Sequence, residues 1–309
     1  MVVAANIKNL DDLSLELGVS SQQLFALIHS ADNLYQEISL PKRKPGEFRK
    51  IKIPSAELKG VQRIILQSIL NQQELHEAAF AYRQKLSVVD AARKLCGKKA
   101  ILKVDIKDFF PSISAARVNG IFQGIGFEKN VSWMLTRLTT YKGKLCQGSP
   151  TSPYLSNLAC RNLDMQLDKL AATWGCGYIR YSDDMFFYKP SNFNSEKLLT
   201  ACRKVLTHNS FAINKTKCKS FHKDMDKVIL GLNVSRSTPE LPQSQRKNMR
   251  SSFHRATTDT DWAIEKQSFL SGLLQWYRCV YGKNETFFRY KMILDSIARV
   301  RKHKIYYSS

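Results

Sequence analysis

Apolar residues recur at helical spacing over residues 11–29, where Leu13, Leu17, Leu24, Leu27 and Ile28 make one stripe. That spacing predicts an amphipathic helix, and Val19-Ser20 inside it offers a cap for a second short helix. The period then changes. Ile38-Ser39-Leu40 and residues 48–54 alternate as strands do. Pro41-Lys42-Arg43-Lys44-Pro45-Gly46 lies between them with turn chemistry, so a basic β-hairpin is expected. A helix is predicted over residues 55–73, with Leu58, Val61, Ile64, Ile65, Ile69 and Leu70 on its apolar face. Residues 100–106 read as a short strand that ends in an acid. Helices are expected over 115–124, 130–139, 153–170 and 196–208. Two short strands within 177–188 flank a hairpin tip at Ser182-Asp183-Asp184. Residues 228–234 read as one strand, and the tail from residue 243 is basic and largely helical. Strands and helices mix without regular βαβ alternation, so the class is α+β.

Length and charge narrow the picture. A chain of 309 residues is longer than one simple core usually holds, so two or three packed subdomains are expected. Lys and Arg number 48 against 26 Asp and Glu, a formal net charge of +22. So basic a protein usually meets a polyanion, because each neutralised phosphate releases condensed counterions. The charge favours nucleic acid over a membrane surface but names no reaction. The seven cysteines are scattered with no CxxC pair, which argues against a zinc site or a disulfide framework and fits a reducing, cytoplasmic setting. The N-terminus lacks the apolar core of a signal peptide, and no stretch approaches the roughly 20 apolar residues of a membrane span.

The chemistry sits in two acidic segments. Val104-Asp105-Ile106-Lys107-Asp108-Phe109-Phe110 places Asp105 where an apolar strand leaves its sheet. Tyr181-Ser182-Asp183-Asp184 places two adjacent carboxylates at a hairpin tip. A pair of acids in a turn is more often a solvated turn, but both segments here are flanked by apolar, strand-like residues. Neighbouring carboxylates repel unless cations lie between them. One strand acid beside two hairpin acids makes a hard-oxygen site suited to Mg²⁺. Two such ions roughly 3.5–4 Å apart can activate a 3′-hydroxyl and stabilise a pyrophosphate leaving group.

Tyr181-Ser182-Asp183-Asp184 resembles the YxDD box of reverse transcriptases, and residues 105–110 resemble their first metal-binding motif. Between them, Gln147-Gly148-Ser149-Pro150-Thr151-Ser152-Pro153-Tyr154-Leu155-Ser156-Asn157 is similar to the QGxPxSPxLxN motif of prokaryotic members. After the box, residues 211–217 resemble the INxxK segment, and residues 228–232 the LG turn. Five motifs in family order make coincidence very improbable. The resemblance runs from about residue 38 to 234. It implies a right-hand polymerase with a helical extension at 1–37, fingers at 38–99, a palm at 100–235 with an inserted fingers segment at about 112–145, and a thumb at 236–309.

The resemblance also implies roles. Asp105, Asp183 and Asp184 are the expected metal ligands, with the Ile106 carbonyl beside them and Asp184 the less direct. The cofactor is two Mg²⁺ ions, with Mn²⁺ as the alternative. Phe110 stands where the family places its steric gate against a ribose 2′-hydroxyl; one of Phe109 and Phe110 is expected simply to fill core. Gln147 and Gly148 shape the nucleotide pocket. Arg49, with one of Lys42 to Lys44, grips the triphosphate. Lys217 protonates the pyrophosphate, its plainer reading being backbone contact to template.

The compact chain resembles retron reverse transcriptases and related antiphage enzymes, through Ala78-Ala79-Phe80-Ala81-Tyr82-Arg83 and through residues 270–276. It departs from retrons in having Asp90-Ala91-Ala92-Arg93-Lys94 for NAxxH, Ile229-Leu230-Gly231 for VTG, and Ser182 for the commoner alanine. The expected partners are a structured noncoding RNA serving as template and primer, an RNA–DNA duplex, dNTPs and an effector protein encoded nearby. Alternatives are a non-retron defence enzyme and an RNA-binding scaffold with a vestigial site. Aromatics interleave with charge at Trp276, Tyr277, Arg278 and Tyr281 and over residues 287–291, which fits a thumb following a duplex, with the rings mainly in the core.

Overall fold

The strand predicted at 100–106 forms as β3 in the third place along the chain, and the rest of the molecule is arranged around it. A computed structural model describes residues 6–41, 46–223 and 225–307. β1 (Tyr35–Pro41) and β2 (Phe48–Pro54) are the antiparallel hairpin expected from their alternation, paired in register from Tyr35↔Pro54 to Pro41↔Phe48. β3 (Ala100–Asp105), β4 (Gly177–Tyr181), β5 (Asp184–Lys189) and β6 (Lys219–Phe221) make one sheet in the order β4-β5-β3-β6. Five of the six β3 residues are buried, because helices cover this sheet and leave no solvated face on that strand. β5 runs antiparallel to both neighbours, and Asp105 is the register partner of Asp184.

Several elements differ from the expected ones, each for a local reason. The stretch at 11–29 is two helices, Leu10–Leu17 and Ser21–Ser30, with the second capped where Val19-Ser20 offered a cap. Gly18 ends the first at φ 64, and Ser20 with Gln23 forms a capping box on the second. The helix at 55–73 is α-helical only over Ala56–Ile64; it loosens to a π turn at Ile65–Ile69 and tightens to 3₁₀ at Leu70–Gln72. Ser68 Oγ donates to the Ile64 carbonyl and Gln73 Nε2 to the Ile69 carbonyl, so side chains compete for the helical acceptors. The helix at 153–170 is broken at Cys160 into Ser152–Ala159 and Arg161–Thr173. The single strand at 228–234 is a tiny hairpin, β7 (Val228–Ile229) and β8 (Leu232–Asn233), turned by Leu230 at φ 53 and Gly231 at φ 82. Helix Val88–Leu95 lies in a stretch for which no element was predicted.

The chain divides into two compact units, residues 1–87 with 100–220 and residues 88–99 with 221–309. The first holds the β3 sheet and a continuous core that includes Leu102, Val104, Phe122, Leu135, Leu155, Met185 and Phe187. The second holds helices Gln243–Thr258, Thr260–Glu265, Gln267–Tyr281 and Glu285–Tyr307. Phe253 and Tyr290 stack there at 4.0 Å, and Phe287 and Tyr290 are buried while Phe288 is exposed. Gly97 is tied to the Val234 carbonyl within this unit. Among the described residues no helix is long and apolar enough to cross a membrane.

Candidate active site

The β4–β5 hairpin closes through Ser182 and Asp183. Its twist requires the first turn residue to be left-handed, and Ser182 adopts φ 59. A non-glycine residue there is strained and needs support from its surroundings. Support comes from both sides. Arg180 Nη1 donates to the Ser182 carbonyl at 3.1 Å, and the Ser182 hydroxyl shares a 2.8 Å hydrogen bond with the Tyr82 hydroxyl.

Arg180 is itself fully buried. Its Nε and Nη2 grip both oxygens of Asp164 at 2.8 and 2.6 Å, and Nη1 also reaches Asn157 Oδ1 at 3.0 Å. Tyr178 donates to Asp164, and the Asn157 amide donates to the Ala81 carbonyl. The Arg180 backbone exchanges hydrogen bonds with Ala78 and Phe80, which lays residues 78–80 beside β4. Every member of the network has its hydrogen bonds met, the condition under which buried charge is tolerable.

The three acids meet through the backbone. Register sets Asp105 opposite Asp184. The Ile106 amide donates to the Asp183 carbonyl at 3.0 Å, and the Asn214 amide to the Asp105 carbonyl at 2.9 Å. Ile106 also bridges Ile213, so the INxxK segment is pinned against the end of β3. Burial raises the Asp105 carboxyl above its usual range, opposed by Lys217 and reinforced by Asp183. Asp184 is pushed up to about 6, chiefly by burial, against the pull of Lys103. Lys103 Nζ lies 2.8 Å from Asp184 Oδ2, and Lys217 Nζ 3.3 Å from Asp105 Oδ2. Among the described residues no three acid, histidine or cysteine side chains stand converged as a finished metal cage. The donors nonetheless fit a hard divalent cation. All are carboxylates, and Asp105 Oδ1 is buried with no hydrogen-bond partner.

The remaining predicted residues surround this centre. Phe109 and Phe110 follow the left-handed Asp108 (φ 48), and both are buried. Phe109 packs toward Phe211 and under the Arg180 guanidinium, while Phe110 faces Tyr82 with ring centroids 6.3 Å apart. Both rings belong to the buried core, and Phe110 is the one beside Tyr82. Gly148 sits at φ 116, and an added Cβ would lie 2.3 Å from the Lys52 carbonyl oxygen. The Lys52 amide donates to the Gln147 carbonyl at 2.8 Å, so the Gln147-Gly148 pair docks the β1–β2 hairpin. Arg49 is exposed on β2, and its charge acts on the Tyr82 phenol. Lys42 to Lys44 lie outside the described residues. Lys217 is 58% exposed on a 3₁₀ turn.

Sequence reasoning overlooked Lys103, Tyr82, Asp164 and Arg180. Lys103 was legible: it precedes Asp105 by two on a strand and so shares its face. Tyr82 lies in the stretch that carries the retron resemblance, but its role, like those of Asp164 and Arg180, has no local signal because their partners are distant in the chain.

Residues 40–250 match the family described as reverse transcriptase (RNA-dependent DNA polymerase). The Retron Ec86 reverse transcriptase of Escherichia coli is 32% identical over 250 residues, covering 80% of this chain and 78% of that protein. The Retron Mx162 reverse transcriptase of Myxococcus xanthus is 30% identical over 262 residues, covering 75% of this chain but only 54% of that protein. Apo telomerase from Candida tropicalis superposes with a TM-score of 0.51 at 13% identity, over 85% of this chain and 56% of that one. That likeness is one of fold, the right-hand polymerase architecture. The chain belongs to the reverse transcriptase family and is an RNA-directed DNA polymerase similar to the retron enzymes.

Proposed function

We propose that the protein copies a structured noncoding RNA, bound as template and primer, into DNA in the cytoplasm, as the polymerase of a retron antiphage system with a nearby-encoded effector. The reading rests on one observation: Asp105 and Asp184 face each other across β3 and β5 with Asp183 in the adjoining turn, and Asp105 keeps an unpartnered oxygen. Retron relatives over most of the chain and a charge of +22 support the choice of substrate. In this reading residues 38–99 are fingers, 100–235 palm and 236–309 thumb.

Asp105, Asp183 and Asp184, with the Ile106 carbonyl, would hold two Mg²⁺ or Mn²⁺ ions. Such ions, when bound, activate the primer 3′-hydroxyl and neutralise charge on the departing pyrophosphate. Lys103 and Lys217, which pair with Asp184 and Asp105, would have to give up those carboxylates if metals were held there, and Lys217 is the candidate to give a proton to the pyrophosphate. Arg49 meets the triphosphate, Gln147 and Gly148 close the pocket beside the hairpin, and Phe110 excludes a ribose 2′-hydroxyl.

The test is primer extension by purified protein with the RNA that copurifies with it, dNTPs and Mg²⁺. Asp183→Asn should abolish extension while leaving RNA binding intact. Extension unaffected by that change removes the acids from the chemistry.

A further inference from the structure

Tyr82 joins two parts of the centre that are far apart in the chain. Its hydroxyl bonds the Ser182 hydroxyl at 2.8 Å, and its ring lies 6.3 Å from Phe110 at 47°. Its own backbone is left-handed, φ 61, a conformation a bulky residue holds only when its surroundings fix it. The fixing is visible. Phe80 donates to the Arg180 carbonyl, and the Ala81 carbonyl accepts from Asn157, which also holds the Arg180 guanidinium. Tyr82 therefore leaves a segment clamped to β4 and reaches back to the turn that β4 enters. It remains 41% exposed, so its ring fronts open space beside the acids rather than filling core. Ser182 is the strained residue of that turn, and Asp183 follows it directly.

We propose that Tyr82 is a specificity-determining residue: tied to the acid-bearing turn through Ser182, it backs the Phe110 ring and keeps it from yielding to a ribose 2′-hydroxyl. This rests on Phe110 being the sugar gate. A gate discriminates only as well as it resists displacement, and the buried Phe110 ring is flanked by Phe109, with centroids 5.4 Å apart, and by Tyr82. Tyr82 supplies the wall behind it. The Tyr82–Ser182 bond sets that wall relative to the carboxylates, so sugar position and acid position are read against one frame. The tie is one neutral hydrogen bond. Its loss should change discrimination by about two- to tenfold.

The experiment measures single-nucleotide incorporation of dGTP and GTP by the full chain on one primer–template, for Tyr82→Phe, Ser182→Ala, the double variant and Phe110→Ala. The readout is the ratio of kcat/KM for dGTP to that for GTP, from which any general slowing cancels. Tyr82→Phe keeps the ring and removes the hydroxyl; Ser182→Ala removes the partner. Each should lower the ratio two- to tenfold, mainly by admitting GTP, and the double variant should equal either single one because all three delete the same bond. An unchanged ratio in Tyr82→Phe, or effects of the two single changes that multiply in the double, overturns the proposal. Phe110→Ala separates the premises. If it abolishes discrimination while Tyr82→Phe and Ser182→Ala do not alter it, Tyr82 has no part in the gate. If Phe110→Ala leaves discrimination intact, the gate assignment itself is wrong.

Discussion

Replacing Asp164 by Asn leaves the Arg180 guanidinium without a counter-charge at a place where both side chains are 0% exposed. Asp164 accepts three hydrogen bonds, two from Arg180 and one from Tyr178. Asparagine offers one oxygen and one amide, so one end of its side chain must point donor at donor. Breaking a buried pair by removing one partner costs about 3–5 kcal/mol. In a unit of roughly 200 residues, each kcal/mol moves the melting temperature by about 2–4 °C, so the expected drop is about 6–20 °C. Scanning calorimetry of the purified chain measures it directly. The companion is Asp164→Leu with Arg180→Met, which replaces charge by apolar volume. Such exchanges are often neutral or stabilising, so the double variant should regain most of the lost melting temperature. It should not regain polymerase activity, because Arg180 Nη1 no longer holds the Ser182 carbonyl. A drop under about 2 °C for Asp164→Asn would refute the energetic argument, and full activity in the double variant would refute the claim that the network positions the turn.

Two further outcomes follow from the site. Gly148→Ala should lift the β1–β2 hairpin from its dock, since the new methyl would meet backbone, not a flexible side-chain end, at 2.3 Å and the φ of 116 is itself strained. Faster trypsin cleavage at Arg49 or Lys50 and at least a tenfold loss of extension are expected; wild-type values in both would exclude the docking role. Asp184 gives a pH dependence. Its folded carboxyl titrates at about 6, raised chiefly by burial, against 3.8 for an unperturbed carboxyl. Between those values the folded chain keeps a proton the unfolded chain has lost, so stability falls as pH rises through that window, by at most about 3 kcal/mol. In chelator-treated protein the melting-temperature difference between wild type and Asp184→Asn should shift against wild type from pH 4 to pH 6. No change, or a shift in its favour, would contradict the burial of Asp184.

Much of this architecture was legible because periodicity and turn chemistry coincide with tertiary need. The β1–β2 alternation, the apolar run into Asp105 and the two strands around Ser182-Asp183 formed where the pattern placed them. Other features follow from contacts that local sequence does not report. The break at Cys160 has neither Gly nor Pro to announce it, and what it achieves is distant: Asn157 before it and Asp164 after it reach the same guanidinium. Leu230 at φ 53 splits one predicted strand into two, at the place where the resemblance to the LG turn already pointed to a turn against the strand-like pattern. Serine in place of the commoner alanine at 182 reads in the sequence only as a departure from the retron pattern, yet its hydroxyl has a partner 100 positions away in the chain.

The order of construction explains how three repelling carboxylates come together beside two lysines and a buried arginine. Side-chain attraction does not assemble them. Strand register sets Asp105 against Asp184, two backbone amides tie Ile106 to Asp183 and Asn214 to Asp105, and a buried arginine fixes the turn from behind. Burial and mutual repulsion raise the carboxyls at 105 and 184, and Lys103 and Lys217 offset part of that cost. The backbone frame is set by the fold itself, while among the described residues the carboxylate side chains stand short of a converged metal cage. If the acids take up the metals proposed above, what has to move is two lysine ammoniums and the carboxylates they hold, not the strands that carry them.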